Sequence, residues 1–168
     1  MYRYRRYRSR RIPPWAVAAM AVIVLATGSQ VAHAGRVHAP AKAAAEAIAF
    51  ARAQLGCPYV WGGTGPCRAG FDCSGLVMKA YASAGVTIPR TSQEQWAGLR
   101  HVSHPRPGDL VFFPGGDGTT TAPGHVAIVI GRDRMIQAYA PGVPIEVSPL
   151  NGDGAGGIVG YARPSGGK

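Results

Sequence analysis

The sequence predicts an α+β domain in which helices come first and strands then cluster into an antiparallel sheet. Two patterns carry that expectation. Apolar residues recur at helical spacing between Ala43 and Ala84, whereas short β-rich runs separated by turn residues crowd the chain after Pro107.

Residues 1–34 read as a secretory signal peptide. Six arginines (Arg3, Arg5, Arg6, Arg8, Arg10, Arg11) precede an uncharged stretch from Trp15 to Ala26. Ala32-His33-Ala34 then matches the small-x-small rule, with cleavage after Ala34. Ser9-Arg10-Arg11 has the look of a twin-arginine signal, but Pro13 and Pro14 stand where an apolar pair is expected. No cysteine lies near the cleavage point, so no lipid anchor is expected. The apolar stretch falls short of the ~20 residues a spanning helix needs. An uncleaved signal anchor is the alternative, because Ile12 to Ala34 carries no charge. The expected product is an exported monomer with no stable membrane anchor.

The leader also accounts for most of the charge. The whole chain is +10, yet removing six of its 18 Lys and Arg leaves 12 against all 8 Asp and Glu, a net +4. No Lys/Arg cluster interleaved with aromatics survives, so nucleic acid is not an expected partner. A balance of +4 suits an anionic surface and is equally ordinary for a soluble domain.

The remaining 134 residues of the 168 fit one domain over residues 44–168, after a short tether at residues 35–43. An Ala-rich helix is expected from Ala43 to Leu55, closed by Gly56. A turn-rich stretch, Gly62 to Gly70, leads to a second helix in which Leu76, Val77, Ala80, Tyr81 and Ala84 keep helical spacing and Gly85 supplies the stop. The expected strands are Asp109–Phe113, His125–Ile130, Met135–Ala140, Ile145–Val147 and Ile158–Tyr161.

Three cysteines make an odd count for an exported protein. Cys57 and Cys67 bracket a short loop and are the expected disulfide. Its closure constrains the unfolded chain by roughly 2–3 kcal/mol in the entropy model. A zinc site from the three cysteines and a histidine is the weaker alternative, since no pair has the preferred ligand spacing. The disulfide leaves Cys73 as a free thiol at the first turn of the second helix, behind Asp72 as N-cap. The positive end of the helix dipole favours a thiolate there, and thiolates are nucleophiles. The other reading of Cys73 is a small buried core residue.

A cysteine nucleophile needs a base. His33 leaves with the leader, His38 lies in the tether, and His101 and His104 sit in a Pro-rich loop as solvated residues. His125 differs, because the strand Val126-Ala127-Ile128-Val129-Ile130 follows it directly and holds an imidazole at the strand mouth. It fits a structural histidine equally well. If the next turn uses three residues, Gly131-Arg132-Asp133, with Asp133 left-handed, then Ala127 opposes Gln137 and His125 opposes Tyr139. Gln137 then shares a face with His125, diagonal to it and within reach to orient the ring. A two-residue turn puts Gln137 on the other face, where it is a solvated strand residue.

Five blocks now stand in order: Tyr59-Val60-Trp61-Gly62-Gly63, Phe71-Asp72-Cys73-Ser74-Gly75-Leu76-Val77, Pro89-Arg90-Thr91-Ser92, Pro107-Gly108-Asp109-Leu110-Val111-Phe112-Phe113, and Gly124-His125-Val126-Ala127-Ile128. Together they resemble the NlpC / p-sixty family of bacterial cell-wall cysteine peptidases over roughly residues 44–163. The resemblance implies a papain-like α+β fold, the nucleophile helix packed on an antiparallel sheet. It implies Cys73 as nucleophile, His125 as base and Gln137 as the polar third residue, a position more often occupied by histidine in the family. It further implies hydrolysis of peptidoglycan stem peptides, typically at the γ-D-glutamyl–diaminopimelate bond, outside the cytoplasm or in the wall. No cofactor and no metal are implied. Tyr59 is then an oxyanion donor beside the Cys73 N–H, Asp72 and Ser74 line the cleft, and Arg90 is a candidate contact for a substrate carboxylate or simply an exposed arginine before a helix.

Other features carry less. Pro114 to Gly124 lacks the ending of a phosphate loop and reads as a mobile loop before His125. Asp117 and Asp153 lack the ligand spacing of a calcium loop. Trp61 reads as core, and Trp96 as core or substrate platform. Two competitors remain: a wall-binding module without turnover, and a transferase or amidase that resolves its thioester with an amine.

Overall fold

The computed structural model describes residues 39–151 and 156–165. The expected leader and its cleavage point lie outside the described residues. Helix α1 (Ala39–Ala53) begins four residues before the expected Ala43 and takes up part of the segment read as tether. Alanine is the best helix former, and Pro40 falls in the first turn, where a missing N–H is no loss. Ala43, Ala47 and Ala51 make the buried stripe of α1, small enough for close approach to α2 (Cys73–Ser83). Gly56 ends the segment with φ 84°. A third helix, α3 (Ser92–Gly98), starts on a capping box in which Thr91 and Glu94 bond each other's backbone N–H.

The strands are β1 (Arg100–Val102), β2 (Leu110–Phe113), β3 (His125–Val129), β4 (Arg134–Gln137), β5 (Glu146–Pro149) and β6 (Gly160–Arg163). They form one antiparallel sheet in the order β1-β6-β2-β3-β4-β5. Five correspond to expected strands with ends shifted by a few residues. Strand β1 was not expected: its three residues show no apolar alternation, and they become a strand because β6 offers them an open edge. His101 therefore lies on a strand and not in a loop.

Alternation sorts the sheet into two faces. Leu110, Phe112, Val126, Ile128 and Ile136 pack with Leu76, Val77 and Ala80 of α2. On the other face Val111, Phe113, Ala127, Val129 and Met135 form a smaller core with Leu150. Helix α2, which carries Cys73, thus lies on an antiparallel sheet, the expected papain-like arrangement.

The β3–β4 register follows the three-residue turn: Ile128 opposes Ile136, Val129 opposes Met135, and the Ile130 N–H bonds the Arg134 carbonyl at 2.9 Å. One detail differs. Among the described residues no non-glycine has positive φ, so Asp133 is not left-handed. Its carbonyl instead accepts the Leu150 N–H at 2.8 Å and extends the β4–β5 ladder.

An ion pair invisible to local sequence closes the sheet. Arg163 on β6 holds buried Asp109 through Nε–Oδ1 and Nη2–Oδ2 contacts of 2.6 Å each, and Asp109 also accepts the Arg106 N–H at 2.8 Å. Removing one member of such a pair strands the other. Asp109→Ala is expected to cost about 3–5 kcal/mol in chemical denaturation; a loss below about 1 kcal/mol is what an exposed pair gives.

Candidate active site

The site is built from two loops and two strand ends stitched onto the start of α2. Phe71 is the stitching residue: its carbonyl accepts the Val60 N–H at 2.9 Å and its N–H bonds the Pro58 carbonyl at 3.2 Å. The Asp72 N–H then bonds the Gly63 carbonyl at 3.0 Å. This zipper sets Tyr59 and Trp61 beside Cys73. Gly75 has to be glycine, because a Cβ there would collide with the Gly63 carbonyl. Cys57 and Cys67 are bonded, with Cα atoms 5.1 Å apart, and staple the loop that carries Tyr59 and Trp61. Cys73 is the free, buried thiol.

Asp72 is the N-cap, as expected, its Oδ1 accepting the Gly75 N–H at 2.6 Å. It does more than cap. Oδ2 accepts the Gly62 N–H at 3.0 Å, and Arg90 grips both oxygens, Nη1–Oδ1 at 3.1 Å and Nη2–Oδ2 at 2.6 Å. Arg90 Nη1 also donates to Ser74 Oγ at 2.9 Å. Arg90 is therefore neither a free exposed arginine nor an open carboxylate receptor: its fork is engaged by Asp72.

The imidazole of His125, buried at the mouth of β3, is bonded through Nε2 to Gln137 Oε1 at 2.9 Å. The register brought the two together on one face. Since an amide oxygen only accepts, Nε2 carries the proton and Nδ1 is the free basic nitrogen. Gln137 Nε2 donates in turn to Glu146 Oε1 at 3.3 Å, which fixes the amide orientation. Phe113 and Tyr139 flank the ring at 5.8 and 5.6 Å between centroids. Glu146 was not singled out from sequence; its signal is the direct pairing Gln137↔Glu146 across β4 and β5.

Cys73 and His125 line the same cavity, about 410 Å³, with Tyr59, Trp61, Asp117 and Tyr139. An adjoining cavity of about 320 Å³ holds Asp72, Ser74 and Arg90. Both include Cys73, so the sulfur sits at the waist of a two-chambered cleft. It lies 3.8 Å from the carbonyl of Gly124, the residue before His125.

Electrostatics correct the expected thiolate. Burial, and next the Asp72 charge, push the Cys73 thiol up to about 11, against which the backbone N–H groups of Val126 and Ser74 pull down. The helix end is outweighed by desolvation. Burial also lowers the basicity of His125, partly offset by Gln137. The resting pair is thus a neutral thiol beside a neutral imidazole. Tyr59 is pushed up to about 12, by burial first, and stays a hydroxyl donor.

The structure reverses the expectation for Trp61. It is 75% exposed and lines both chambers, because its loop is held by backbone bonds and the disulfide and needs no buried ring. Trp96 packs on Phe112 and stacks on His101 at 3.8 Å, which removes it from the cleft. Pro114 to Gly124 is a closed loop, pinned by the Gly124 N–H to the Pro114 carbonyl at 2.8 Å, and it delivers Asp117 to the cleft. Among the described residues no group of three or more His, Cys, Asp or Glu is placed to hold a metal ion, and no helix is long and apolar enough to cross a membrane.

The NlpC/P60 family model matches residues 56–157. The chain belongs to that family. It is 42% identical over 119 residues to a probable endopeptidase p60 of Listeria monocytogenes, covering 69% of this chain and 23% of that protein. It is 39% identical over 116 residues to the peptidoglycan endopeptidase RipB of Mycobacterium tuberculosis, covering 61% and 46%. The chain thus spans under a quarter of the first relative and under half of the second. The structure superposes on that of an NlpC/P60 family protein from Bacillus cereus with TM-score 0.65 and 37% identity, over 71% of this chain and 39% of that one. On the structure of the peptidoglycan hydrolase RipB it scores 0.62 at 33% identity, over 76% and 67%.

Proposed function

We propose that this NlpC/P60 chain is an exported cysteine endopeptidase that hydrolyses peptidoglycan stem peptides at the γ-D-glutamyl–diaminopimelate bond. The observation that supports it most is the cleft itself, in which a helix-end thiol and a histidine oriented by an amide share one cavity. The relatives named as peptidoglycan endopeptidases support the substrate class. A substrate that lies outside the cytoplasm agrees with the leader read in residues 1–34.

In this reading His125 Nδ1 takes the proton of Cys73 Sγ as the sulfur attacks the amide carbonyl. The Cys73 N–H, which has no intrahelical acceptor at the first position of α2, and the Tyr59 hydroxyl hold the developing oxyanion. Losing one such donor typically costs about 10²–10³ in rate. The imidazolium then protonates the leaving amine. Water, deprotonated by the same nitrogen, adds to the thioester and releases the glutamyl carboxylate and the thiol.

Because burial disfavours the imidazolium, the acid limb of kcat/KM is expected to fall at a pH below 6.5, the ordinary histidine value. The same shift acts on stability: the neutral ring is favoured in the fold, so its contribution is present above 6.5 and is lost as the pH falls below it. A pH–rate profile beside a pH–Tm series checks both.

Mass spectrometry of defined muropeptides incubated with residues 35–168, beside Cys73→Ala, tests the function. Fragments split between glutamate and diaminopimelate, absent with Cys73→Ala, are expected. An unchanged digest from folded, reduced protein points to a binding module, and an adduct on an added amine to a transferase.

A further inference from the structure

Asp117 is the charged group in the cleft that lacks a counter-charge. Among the described residues its carboxylate makes no hydrogen bond and no ion pair, although it lines both chambers. The other two charges there, Asp72 and Arg90, neutralise each other. The placement is built into the loop: a Cβ at Gly124 would collide with Asp117 Oδ1, and the Gly124 carbonyl is the group 3.8 Å from the nucleophile. A carboxylate therefore stands within a residue's breadth of the scissile position.

The two chambers differ in what they offer a ligand. Arg90 makes the chamber of Asp72 and Ser74 unattractive to a second cation. Asp117, Tyr59 and Trp61 line both chambers, but the His125 chamber adds the uncharged ring of Tyr139 and lacks the arginine. An unpaired carboxylate set among aromatic faces suits an ammonium ion, through ion pairing and cation–π attraction together. Trp61, exposed and lining the same chamber from the other loop, is the natural second wall. In the proposed mechanism His125 protonates the leaving amine, so its chamber receives the residue after the scissile bond.

We infer that Asp117, with Trp61, binds the side-chain ammonium of the residue on the leaving side of the scissile bond, and so selects stem peptides with a free amine there. The inference rests on the stem-peptide reading and adds a specificity residue to it. The loop from Pro114 to Gly124 is then a recognition element and not a spacer.

The test compares two tripeptides, L-alanyl-γ-D-glutamyl-meso-diaminopimelate and its analogue with 2-aminopimelate, which differ by one side-chain amine. The parent protein is expected to favour the diamino peptide about five- to tenfold in kcat/KM. Asp117→Asn brings that ratio near one, Asp117→Glu recovers part of it, and Trp61→Ala reduces it. Calorimetric Kd values of both peptides on Cys73→Ala give the same comparison without turnover. A ratio unchanged in Asp117→Asn, in both rate and binding, overturns the inference. If neither peptide is cleaved by the parent yet the Kd ratio depends on Asp117, the hydrolase reading fails and the ammonium site stands.

Discussion

His125→Ala is expected to lower cleavage at pH 7 by about 10⁴, and to make the residual rate rise roughly tenfold per pH unit toward the thiol's own titration. With the thiol pushed up to about 11, only about one molecule in 10⁴ carries a thiolate at pH 7 unless a base removes the proton. In the proposed mechanism the parent protein does not depend on that fraction, because Nδ1 of His125 takes the proton during attack. The rise from pH 7 to 9 is therefore expected in the variant, about a hundredfold, and not in the parent. An equal pH dependence of both proteins would mean that His125 is not the base. Folded stability bounds the alkaline range, since a buried thiol with a raised pKa loses its contribution as the pH climbs from 9.0 toward about 11.

Asp72→Ala gives the second large effect, and it has two opposed parts. The carboxylate caps α2, anchors the Gly62 N–H and holds Arg90 by both oxygens. Losing a cap costs about 1 kcal/mol. The stranded arginine adds to this less than the full price of a buried pair, because its side chain is 35% exposed. A total of about 2–3 kcal/mol corresponds to a fall in Tm on the order of 10 °C for a domain of this size. The same carboxylate raises the Cys73 thiol, so its removal lowers that pKa and speeds alkylation by iodoacetamide at pH 8. Asp72→Asn separates the parts: asparagine still caps, so alkylation quickens while Tm falls less. Slower alkylation in both variants would show that the loop and not the charge governs the thiol.

Much of this site could be read from sequence because it depends on local geometry. Asp72 before a helical stripe fixes a cap, and the apolar run from Val126 to Ile130, once followed by a three-residue turn, fixes which face Gln137 takes. Where packing at long range decides, local pattern is silent. Arg90 is consumed by a residue 18 positions away, and Asp109 finds Arg163 across 54. β1 exists only because β6 has a free edge. Trp61 looks like core by residue type, yet a backbone zipper and a disulfide hold its loop and leave the ring in the cleft. The thiol differs from the sequence expectation for the same reason: a helix end is visible in sequence, whereas the burial that outweighs it is not.

In the proposed hydrolysis Cys73 carries the acyl group between two half-reactions. The direct measurement is intact-mass and peptide-level mass spectrometry of the protein quenched in acid during turnover of the diaminopimelate tripeptide. A thioester is expected on the peptide containing Cys73, with the mass of the L-alanyl-γ-D-glutamyl group, building up further in variants that slow water attack. Steady product formation with no adduct on Cys73, under a quench that preserves thioesters, would contradict it.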